Sequence, residues 1–227
     1  MAHQDTAHQD TAHSTGDSAD GAVSGRAGLR GDIDRLRSGR GTYGGPPSWR
    51  GALRRVVTRP GPMAIAFYRA GHWLWVHDHE VLAELLWRAN LTLTGADIHP
   101  GAEIGGGFKV VHTSGLTIAR GAVVGRDVTM LHGVTLGGSG RGYVDPTFAD
   151  GPPRIGDGTE IWAGAKVLGP ITVGRGCHVG ANAVLGHDLA DGETYTASER
   201  VRRLEERVAE LERRLADLDH LVPPRHI

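Results

Sequence analysis

Histidine is the side chain in this sequence best suited to chemistry near neutral pH, because a neutral imidazole can take the proton of an attacking hydroxyl group. The 227 residues include 13 histidines and one cysteine, Cys177. A single cysteine excludes an internal disulfide framework and a zinc site made of cysteines alone. Two histidine groups could bind a metal loosely, but we interpret them as tail and helix-surface residues and expect no metal: His3, His8 and His13, and His72, His77 and His79.

The charge and the hydropathy of the chain limit the kinds of partner that it is expected to bind. Lys and Arg number 25 and Asp and Glu number 26, so the net charge of −1 gives no overall attraction to nucleic acid or to an anionic membrane. No apolar run reaches the roughly 20 residues that a membrane span needs. The N-terminus lacks the apolar core of a signal peptide. We therefore expect a cytoplasmic protein without nucleic-acid or membrane partners.

The strongest pattern is a period of six between residues 98 and 185. A helix repeats every 3.6 residues and a strand every two, so neither explains it. A triangular parallel β-helix does, because each six-residue face points one aliphatic side chain inward and small residues turn the corners. The sequence predicts about five such coils. The repeating positions are Ile98, Ile104, Val110 and Leu116, then, after a slip of two, Ile118, Val124, Met130 and Leu136, and finally Ile155, Ile161, Val167, Val173, Val179 and Leu185.

Four segments follow from these patterns. Residues 1–25 repeat Ala-His-Gln-Asp-Thr and have almost nothing to bury, which predicts a disordered tail. Apolar residues at helical spacings predict a helical segment over 26–93, with a loop at 41–47. Residues 94–195 form the predicted β-helix, and an insertion at 137–153 interrupts it; such a loop is more often functional than accidental. Residues 196–227 form a further helix and a short tail.

The C-terminal helix carries an apolar seam at spacings of three and four, which is typical of a coiled coil. Charges of opposite sign flank the seam at the positions that pair in a parallel coiled coil. The alternative is an amphipathic helix that lies on its own protein. The seam is Val201, Leu204, Val208, Leu211, Leu215, Leu218 and Val222, and the flanking charges are Arg200, Arg207 and Arg214 against Glu205, Glu212 and Asp219.

Several segments together resemble the bacterial serine acetyltransferases, a family of hexapeptide-repeat proteins, over about residues 60–190. They are Tyr-Arg-Ala-Gly-His-Trp-Leu-Trp at 68–75, Thr-Gly-Ala-Asp-Ile-His-Pro-Gly at 94–101, Val-His-Thr-Ser-Gly at 111–115, Gly-Val-Thr-Leu-Gly-Gly at 133–138, Pro-Arg-Ile-Gly-Asp-Gly at 153–158 and Gly-Ala-Lys-Val-Leu-Gly-Pro-Ile-Thr-Val-Gly at 164–174. The resemblance implies a left-handed parallel β-helix that forms trimers, often paired into hexamers through N-terminal helices. It also implies transfer of an acetyl group from acetyl-CoA to the serine hydroxyl.

The resemblance also assigns site residues. His112 falls at the position of the family's catalytic base, and Asp97 falls at that of the carboxylate which orients the imidazole. The two lie 15 residues apart, close to one coil, so we expect them to be neighbours. The remaining solenoid histidines are interpreted as a turn residue (His99) and surface residues (His132, His178 and His187). The positions that match the family's acetyl-CoA groove between adjacent β-helices are Gly138, Ala163, Gly164 and Ala181, with Lys166 nearby.

The chain departs from the family on the acceptor side. Val111 stands where the family has Asp, and Gly151-Pro152 stands where it has the Arg-His that holds serine. We therefore expect serine to be held weakly. The colanic-acid-type exopolysaccharide O-acetyltransferases also lack that clamp and acetylate sugars.

Three functions remain open: an O-acetyltransferase with serine as the default acceptor, the same chemistry on a sugar or exopolysaccharide precursor, and an inactive trimeric coiled-coil scaffold. The family's Gly-Val-Pro-Ala-Arg after the last coil is absent, which leaves Arg200, Arg202 and Arg203 as candidates for the nucleotide end of CoA. Many family members end in isoleucine, which plugs the active site of cysteine synthase. Ile227 therefore makes cysteine synthase a candidate partner.

Overall fold

The computed structural model describes residues 25–38, 49–140 and 150–219. Most of the predicted tail 1–25, the predicted loop 41–47, the middle of the insertion and the end of the chain from 220 to Ile227 lie outside the described residues. The elements, in chain order, are α1 Gly25–Ser38, α2 Trp49–Thr58, α3 Pro60–Val76, α4 Glu80–Thr94, β1 Ala96–Ile98, β2 Glu103–Ile104, β3 Lys109–Val110, β4 Leu116–Ile118, β5 Val123–Val124, β6 Thr129–Met130, β7 Thr135–Gly137, β8 Arg154–Ile155, β9 Glu160–Ile161, β10 Lys166–Leu168, β11 Thr172–Val173, β12 His178–Val179, β13 Val184–Leu185, β14 Thr194–Tyr195 and α5 Ala197–Asp219.

The fourteen strands of the described residues form three parallel sheets, which are the faces of a parallel β-helix of about five coils. Sheet I stacks β1, β4, β7, β10 and β13, sheet II stacks β2, β5, β8 and β11, and sheet III stacks β3, β6, β9, β12 and β14. All fourteen aliphatic residues of the six-residue repeat point inward and expose 3% or less of their surface. The fold predicted from that repeat, a parallel β-helix with helices at both ends, is confirmed.

The register of sheet I shows where the repeat is interrupted. Ile98, Ile118, Leu136, Val167 and Leu185 stack on one another in successive coils. The second and the fourth of these steps each cover eighteen residues, the first covers twenty, and the third covers thirty-one because it contains the long insertion. The two extra residues of the first coil lie in the corner between β3 and β4. The long insertion leaves the solenoid after β7, at the opposite edge of sheet I.

The N-terminal helices close the open end of the β-helix. The first coil has no coil before it, so its outer backbone groups need other hydrogen-bond partners. The Tyr68 hydroxyl on α3 donates to the carbonyl oxygen of Ala102 at 2.7 Å and accepts from the amide of Ile104 at 3.2 Å. This buried contact ties α3 directly to β2.

A buried ion pair completes that contact. Arg69 Nε lies 2.7 Å from Asp32 Oδ2, and both side chains expose less than 10% of their surface. Arg69 also donates to the carbonyl oxygen of Gly105 at 2.7 Å, while Asp32 accepts from the amide of Phe108 at 3.1 Å. Burial raises the pKa of Asp32, and the ion pair with Arg69 opposes that rise. The hydrogen bonds that Arg69 and Asp32 make to the backbone of the first coil thus offset the cost of desolvating the pair.

The predicted helical segment consists of separate helices. Helix α3 ends at Val76 and α4 begins at Glu80. Asp78 between them adopts a left-handed conformation with φ of 60°, which turns the chain back on itself. None of the helices in the described part of the chain is long and apolar enough to cross a membrane.

Helix α5 leaves the last coil directly after β14. Its predicted seam is half or more exposed in the single chain, between 50% and 62% for Val201, Leu204, Val208, Leu211 and Leu215. Arg202 pairs with Glu206 within the helix. No described residue of the same chain buries the seam. This exposure disagrees with the alternative of an amphipathic helix that lies on its own protein. The coiled coil itself stays a prediction.

Candidate active site

The corner between sheets III and I carries the predicted base. The register of sheet III stacks His112, His132, Ala163 and Ala181 in four successive coils, two residues beyond the end of each strand. The His112 side chain is exposed. Its ring meets the ring of His132 edge-on, with the ring centres 5.7 Å apart. His112 is therefore accessible to a reactant and is flanked by a second imidazole.

The two extra residues of the first coil shape this corner. Thr113 and Ser114 follow His112, and the buried Thr113 hydroxyl donates to the carbonyl oxygen of Thr94 at the end of α4. The amide of Gly115 donates to the carbonyl oxygen of Gly95 at 3.1 Å. The two extra residues are thus tied to α4, and they widen the corner immediately after His112.

Asp97 lies on the outer face of β1, since its neighbours Ala96 and Ile98 point into the core. Its Oδ1 accepts a hydrogen bond of 2.8 Å from the indole N–H of Trp87 on α4. A hydrogen bond to the charged form of a carboxylate stabilises that form. Trp87 is a contact that the sequence did not indicate, because its place against β1 depends on how α4 packs.

His99 lies two residues beyond Asp97 and packs against two indoles. Its ring centre is 4.8 Å from that of Trp87 and 5.3 Å from that of Trp75. Its Nδ1 accepts the amide of Gly101, as expected for a turn residue. Burial lowers the pKa of His99, and Arg120 acts in the same direction, whereas Asp97 opposes them. These contacts give His99 a packing role, and the lowered pKa favours the neutral form of its imidazole.

The structure places both residues in the first coil: Asp97 lies on β1 of sheet I, and His112 lies at the corner between sheets III and I. Among the described residues, neither a hydrogen bond nor an ion pair joins the two side chains. Their expected pairing therefore stays a prediction. His132 was interpreted as a surface residue, yet it contacts His112. A signal for it exists in the sequence, because both histidines follow an aliphatic residue of the repeat, Val110 or Met130, by two positions.

Three of the predicted CoA positions lie at the His112 corner. Ala163 and Ala181 continue the column of His112 and His132, so the column changes from imidazoles to methyl groups. Gly164 follows Ala163 with a φ of 74°, and a Cβ at this position would collide with the side-chain oxygen of Asn182. The small side chains leave open backbone beside two exposed imidazoles.

Lys166 reaches the same corner from sheet I. Its Nζ donates to the carbonyl oxygen of Gly133 at 2.6 Å and to the Thr135 hydroxyl at 3.0 Å. The ammonium group thus adds a positive charge close to the histidine column. Arg202 on α5, one of the candidates for the nucleotide end of CoA, pairs with Glu206. The side chains of the other two candidates, Arg200 and Arg203, lie outside the described residues.

Gly138 lies apart from the other CoA positions, at the opposite edge of sheet I, where the long insertion begins. Asp150 closes the neck of that insertion by accepting the amides of Ser139 at 2.7 Å and Gly151 at 3.0 Å. Within one chain, the structure therefore does not bring Gly138 together with Ala163, Gly164 and Ala181.

An open cavity of about 550 Å³ lies beside the neck of the insertion. The half-buried Val111 lies at the other edge of sheet I, next to His112. The residues that differ from the family on the acceptor side, Val111 on one hand and Gly151 and Pro152 on the other, therefore lie at two different corners of the β-helix. The cavity is lined by Ala119, Arg120, Gly138, Gly140, Asp150, Gly151 and Pro152.

Comparison with known proteins identifies the family of the chain. A family model described as "Bacterial transferase hexapeptide (six repeats)" matches residues 152–187. The serine acetyltransferase of Helicobacter pylori is 39% identical over 155 residues, which cover 67% of this chain and 86% of that protein. The chain belongs to the serine acetyltransferase family. The serine acetyltransferase of Mycobacterium tuberculosis is 43% identical over 157 residues, 69% of this chain, but the chain spans only 64% of that relative.

The fold comparison points to the same family. The structure of Neisseria gonorrhoeae serine acetyltransferase in complex with serine matches with a TM-score of 0.64 at 30% identity. The match covers 75% of this chain and 65% of that chain. The resemblance to serine acetyltransferases that the sequence motifs indicated is therefore confirmed.

Proposed function

We propose that this protein transfers the acetyl group of acetyl-CoA to the hydroxyl of a small acceptor, with L-serine as the default acceptor. The observation that supports it best is the exposed His112 at a corner continued by small residues, in a chain of the serine acetyltransferase family. An alcohol is a poor nucleophile at neutral pH, so the reaction needs a base within hydrogen-bond reach of the hydroxyl. An exposed imidazole meets that need.

In the proposed mechanism, His112 takes the proton of the acceptor hydroxyl as its oxygen attacks the thioester carbonyl carbon. The tetrahedral intermediate then breaks the carbon–sulfur bond, and the CoA thiolate receives the proton back from the imidazolium. Asp97 orients the imidazole and stabilises its charged form, as the carboxylate of a catalytic triad does. This role requires a hydrogen bond between His112 and Asp97, which the structure of the single chain does not contain.

Acetyl-CoA is proposed to lie in a groove between adjacent β-helices of a homotrimer. The separation of Gly138 from the other CoA positions supports a groove of this kind, since one chain supplies each edge. Ala163, Gly164 and Ala181 leave backbone open to the pantetheine, and Lys166 contributes positive charge. The reaction needs no metal.

A second acceptor class, the sugars or exopolysaccharide precursors, is supported by the cavity beside the insertion. Gly151 and Pro152 bring no side-chain hydrogen-bond donor to it, and about 550 Å³ is enough space for a ligand larger than serine. The scaffold alternative is less well supported, because it gives no role to the exposed His112.

The assembly is proposed to be a cytoplasmic homotrimer held in addition by a parallel coiled coil of α5 helices. The exposed seam supports this arrangement. The exposed apolar residues of α4, Val81, Leu82 and Leu85, support pairing of two trimers into a hexamer. A contact of Ile227 with cysteine synthase is tested by a pull-down that compares the full chain with a chain lacking that residue.

The proposed function is tested by CoA release from acetyl-CoA against a panel of amino acids and sugars. We expect acceptor-dependent release with serine and loss of that release in His112→Ala. Release with a sugar and none with serine would favour the second acceptor class. No acceptor-dependent release across the panel would favour the scaffold.

A further inference from the structure

One face of helix α4 carries the polar groups that join this helix to the elements around it. Trp87, Asn90 and Thr94 follow one another at spacings of three and four, so they lie on the same face. Asn90 Nδ2 donates to the carbonyl oxygen of Ala64 on α3 at 3.2 Å. The Thr94 hydroxyl accepts from the amide of Ala96 at 3.2 Å. This face therefore fixes the end of α4 to both α3 and β1.

The same face also reaches the two places where the proposed dyad lies. The indole N–H of Trp87 donates to Asp97 Oδ1 at 2.8 Å. The carbonyl oxygen of Thr94 accepts from the hydroxyl of Thr113, the residue after His112. Helix α4 thus holds the side chain of one member of the proposed dyad and the residue next to the other, although the two members do not contact each other in the single chain.

The position of the Trp87 indole is set by packing as well as by its hydrogen bond. Its ring centre lies 4.8 Å from that of His99, which also packs against Trp75 on α3. The indole is half-buried, so few orientations are open to it. An N–H whose direction is fixed in this way also fixes the carboxylate oxygen that accepts from it.

The hydrogen bond from Trp87 uses one oxygen of the Asp97 carboxylate and leaves the other. In the described part of the chain, Asp97 Oδ2 accepts no hydrogen bond. A carboxylate accepts at both of its oxygens, so a donor at Oδ1 does not prevent an imidazole from donating at Oδ2. The donor at Oδ1 favours the ionised form of the carboxyl group and restricts the broad rotation that its terminal torsion otherwise allows.

We propose that Trp87 is a positioning residue for the reaction: its indole N–H sets the orientation of the Asp97 carboxylate and keeps Oδ2 available to the Nδ1–H of His112. The inference rests on the proposed acetyl transfer and goes beyond it, because Trp87 lies outside the segments 68–75 and 94–101 that resemble the family. Trp87 acts only through Asp97.

Trp87→Phe removes the N–H and keeps an aromatic ring beside His99. We expect kcat for CoA release to fall about 10-fold, as for the loss of one hydrogen bond to a charged group, with the KM for acetyl-CoA unchanged. In an Asp97→Asn background the same substitution should cause no further fall, because its effect passes through the carboxylate. The matched control is Trp75→Phe, which changes the other indole packed against His99 and should keep the wild-type kcat.

Two kinetic results would overturn the inference. A Trp87→Phe variant that transfers acetyl groups with the wild-type kcat would do so and leave the proposed function intact. An equal fall in kcat in the wild-type and Asp97→Asn backgrounds would also do so, because that result indicates a structural effect of the ring rather than positioning of Asp97.

A measurement without turnover separates the two proposals in the other direction. ¹⁵N NMR of the histidine rings in the full chain with CoA reports which nitrogen of His112 carries the proton, and the signal is assigned by its loss in His112→Ala. We expect the Nδ1–H tautomer in the wild type and in Trp75→Phe, and a mixture of tautomers in Trp87→Phe. This result, with no acetyl transfer by the wild type, would support the inference and contradict the proposed function. A His112 signal that is the same in the wild type and in Trp87→Phe would overturn the inference.

Discussion

The ring of His112 lies edge-on to the ring of His132, with the two ring centres 5.7 Å apart. Stacked coils place the two side chains in one column, because both follow a strand of sheet III by two residues. The carboxylate expected to orient His112 is instead bound by Trp87 through a hydrogen bond of 2.8 Å. The proposed dyad therefore requires a contact between His112 and Asp97 that this arrangement does not contain, and His132 and Trp87 are the side chains that the two residues contact instead.

Asp97→Asn tests the orienting carboxylate. We expect kcat to fall, but less than in His112→Ala, with the KM for acetyl-CoA unchanged, because the asparagine still accepts the Trp87 N–H but cannot stabilise an imidazolium. Steady-state CoA release with a saturating acceptor measures the change. Asp157→Asn is the control, since Asp157 also accepts an N–H hydrogen bond, from the backbone amide of Arg126, but lies at the corner between sheets II and III. Full activity in Asp97→Asn would exclude the orienting role.

Gly164→Ala tests the corner beside the histidines. The substitution introduces a side chain at positive φ and also drives a Cβ into Asn182, so we expect a loss of about 1–3 kcal/mol in the free energy of unfolding. Gly158→Ala is a matched control, because Gly158 also has positive φ, at 68°, but nothing lies within 4 Å of its added Cβ. Chemical denaturation should show a larger loss for Gly164→Ala. Equal losses would mean that the contact with Asn182 relaxes freely.

Arg69→Met tests the closure of the open end of the β-helix. Removal of one partner of a buried ion pair leaves the other unpaired, which costs about 3–5 kcal/mol. Arg202→Met is the control, because the pair of Arg202 with Glu206 is exposed and such pairs contribute less than about 1 kcal/mol. Urea unfolding followed by circular dichroism compares the two. Similar, small losses in both variants would show that the helices do not support the first coil.

The sequence predicted the solenoid in detail because one inward side chain per face is a local rule that repeats. The slip of two between Leu116 and Ile118 also had a structural meaning, since it marks the widened corner after His112. The packing of the N-terminal helices on the first coil could not be predicted from the sequence in the same way. Gly28 and Gly31 favour an interrupted helix, yet both lie within α1. At Gly31 a Cβ would lie 2.8 Å from the amide nitrogen of Gly107, so the glycine permits close contact with the first coil.

The site could be predicted only in part, for the same reason. The position of His112 follows from the motif and the repeat. The contact of Asp97 with Trp87 and that of Arg120 with Trp75 depend on how α3 and α4 fold over β1, and the spacing of residues along the chain carries no information about that packing. The cavity beside the insertion likewise appears only when both ends of the insertion are placed.

Deletion of residues 199–227 tests the proposed coiled coil. The seam of α5 is half or more exposed in one chain, so its removal should loosen the trimer and lower the thermal midpoint while His112-dependent activity persists. A milder variant, Leu211→Asn, should act in the same direction, and Arg213→Gln, off the seam, should not. Analytical ultracentrifugation at several concentrations measures the assembly. A truncated chain with unchanged melting and unchanged trimer mass would reject the coiled coil.

The most direct measurement is the serine-dependent release of CoA by the wild type, by His112→Ala and by His178→Ala. His178 is a control imidazole that is exposed on sheet III and lies 3.6 Å from Glu160. We predict release by the wild type and by His178→Ala, and a loss of about 10²–10⁴-fold in His112→Ala with acetyl-CoA binding unchanged. Wild-type activity in His112→Ala would contradict the mechanism proposed for this protein.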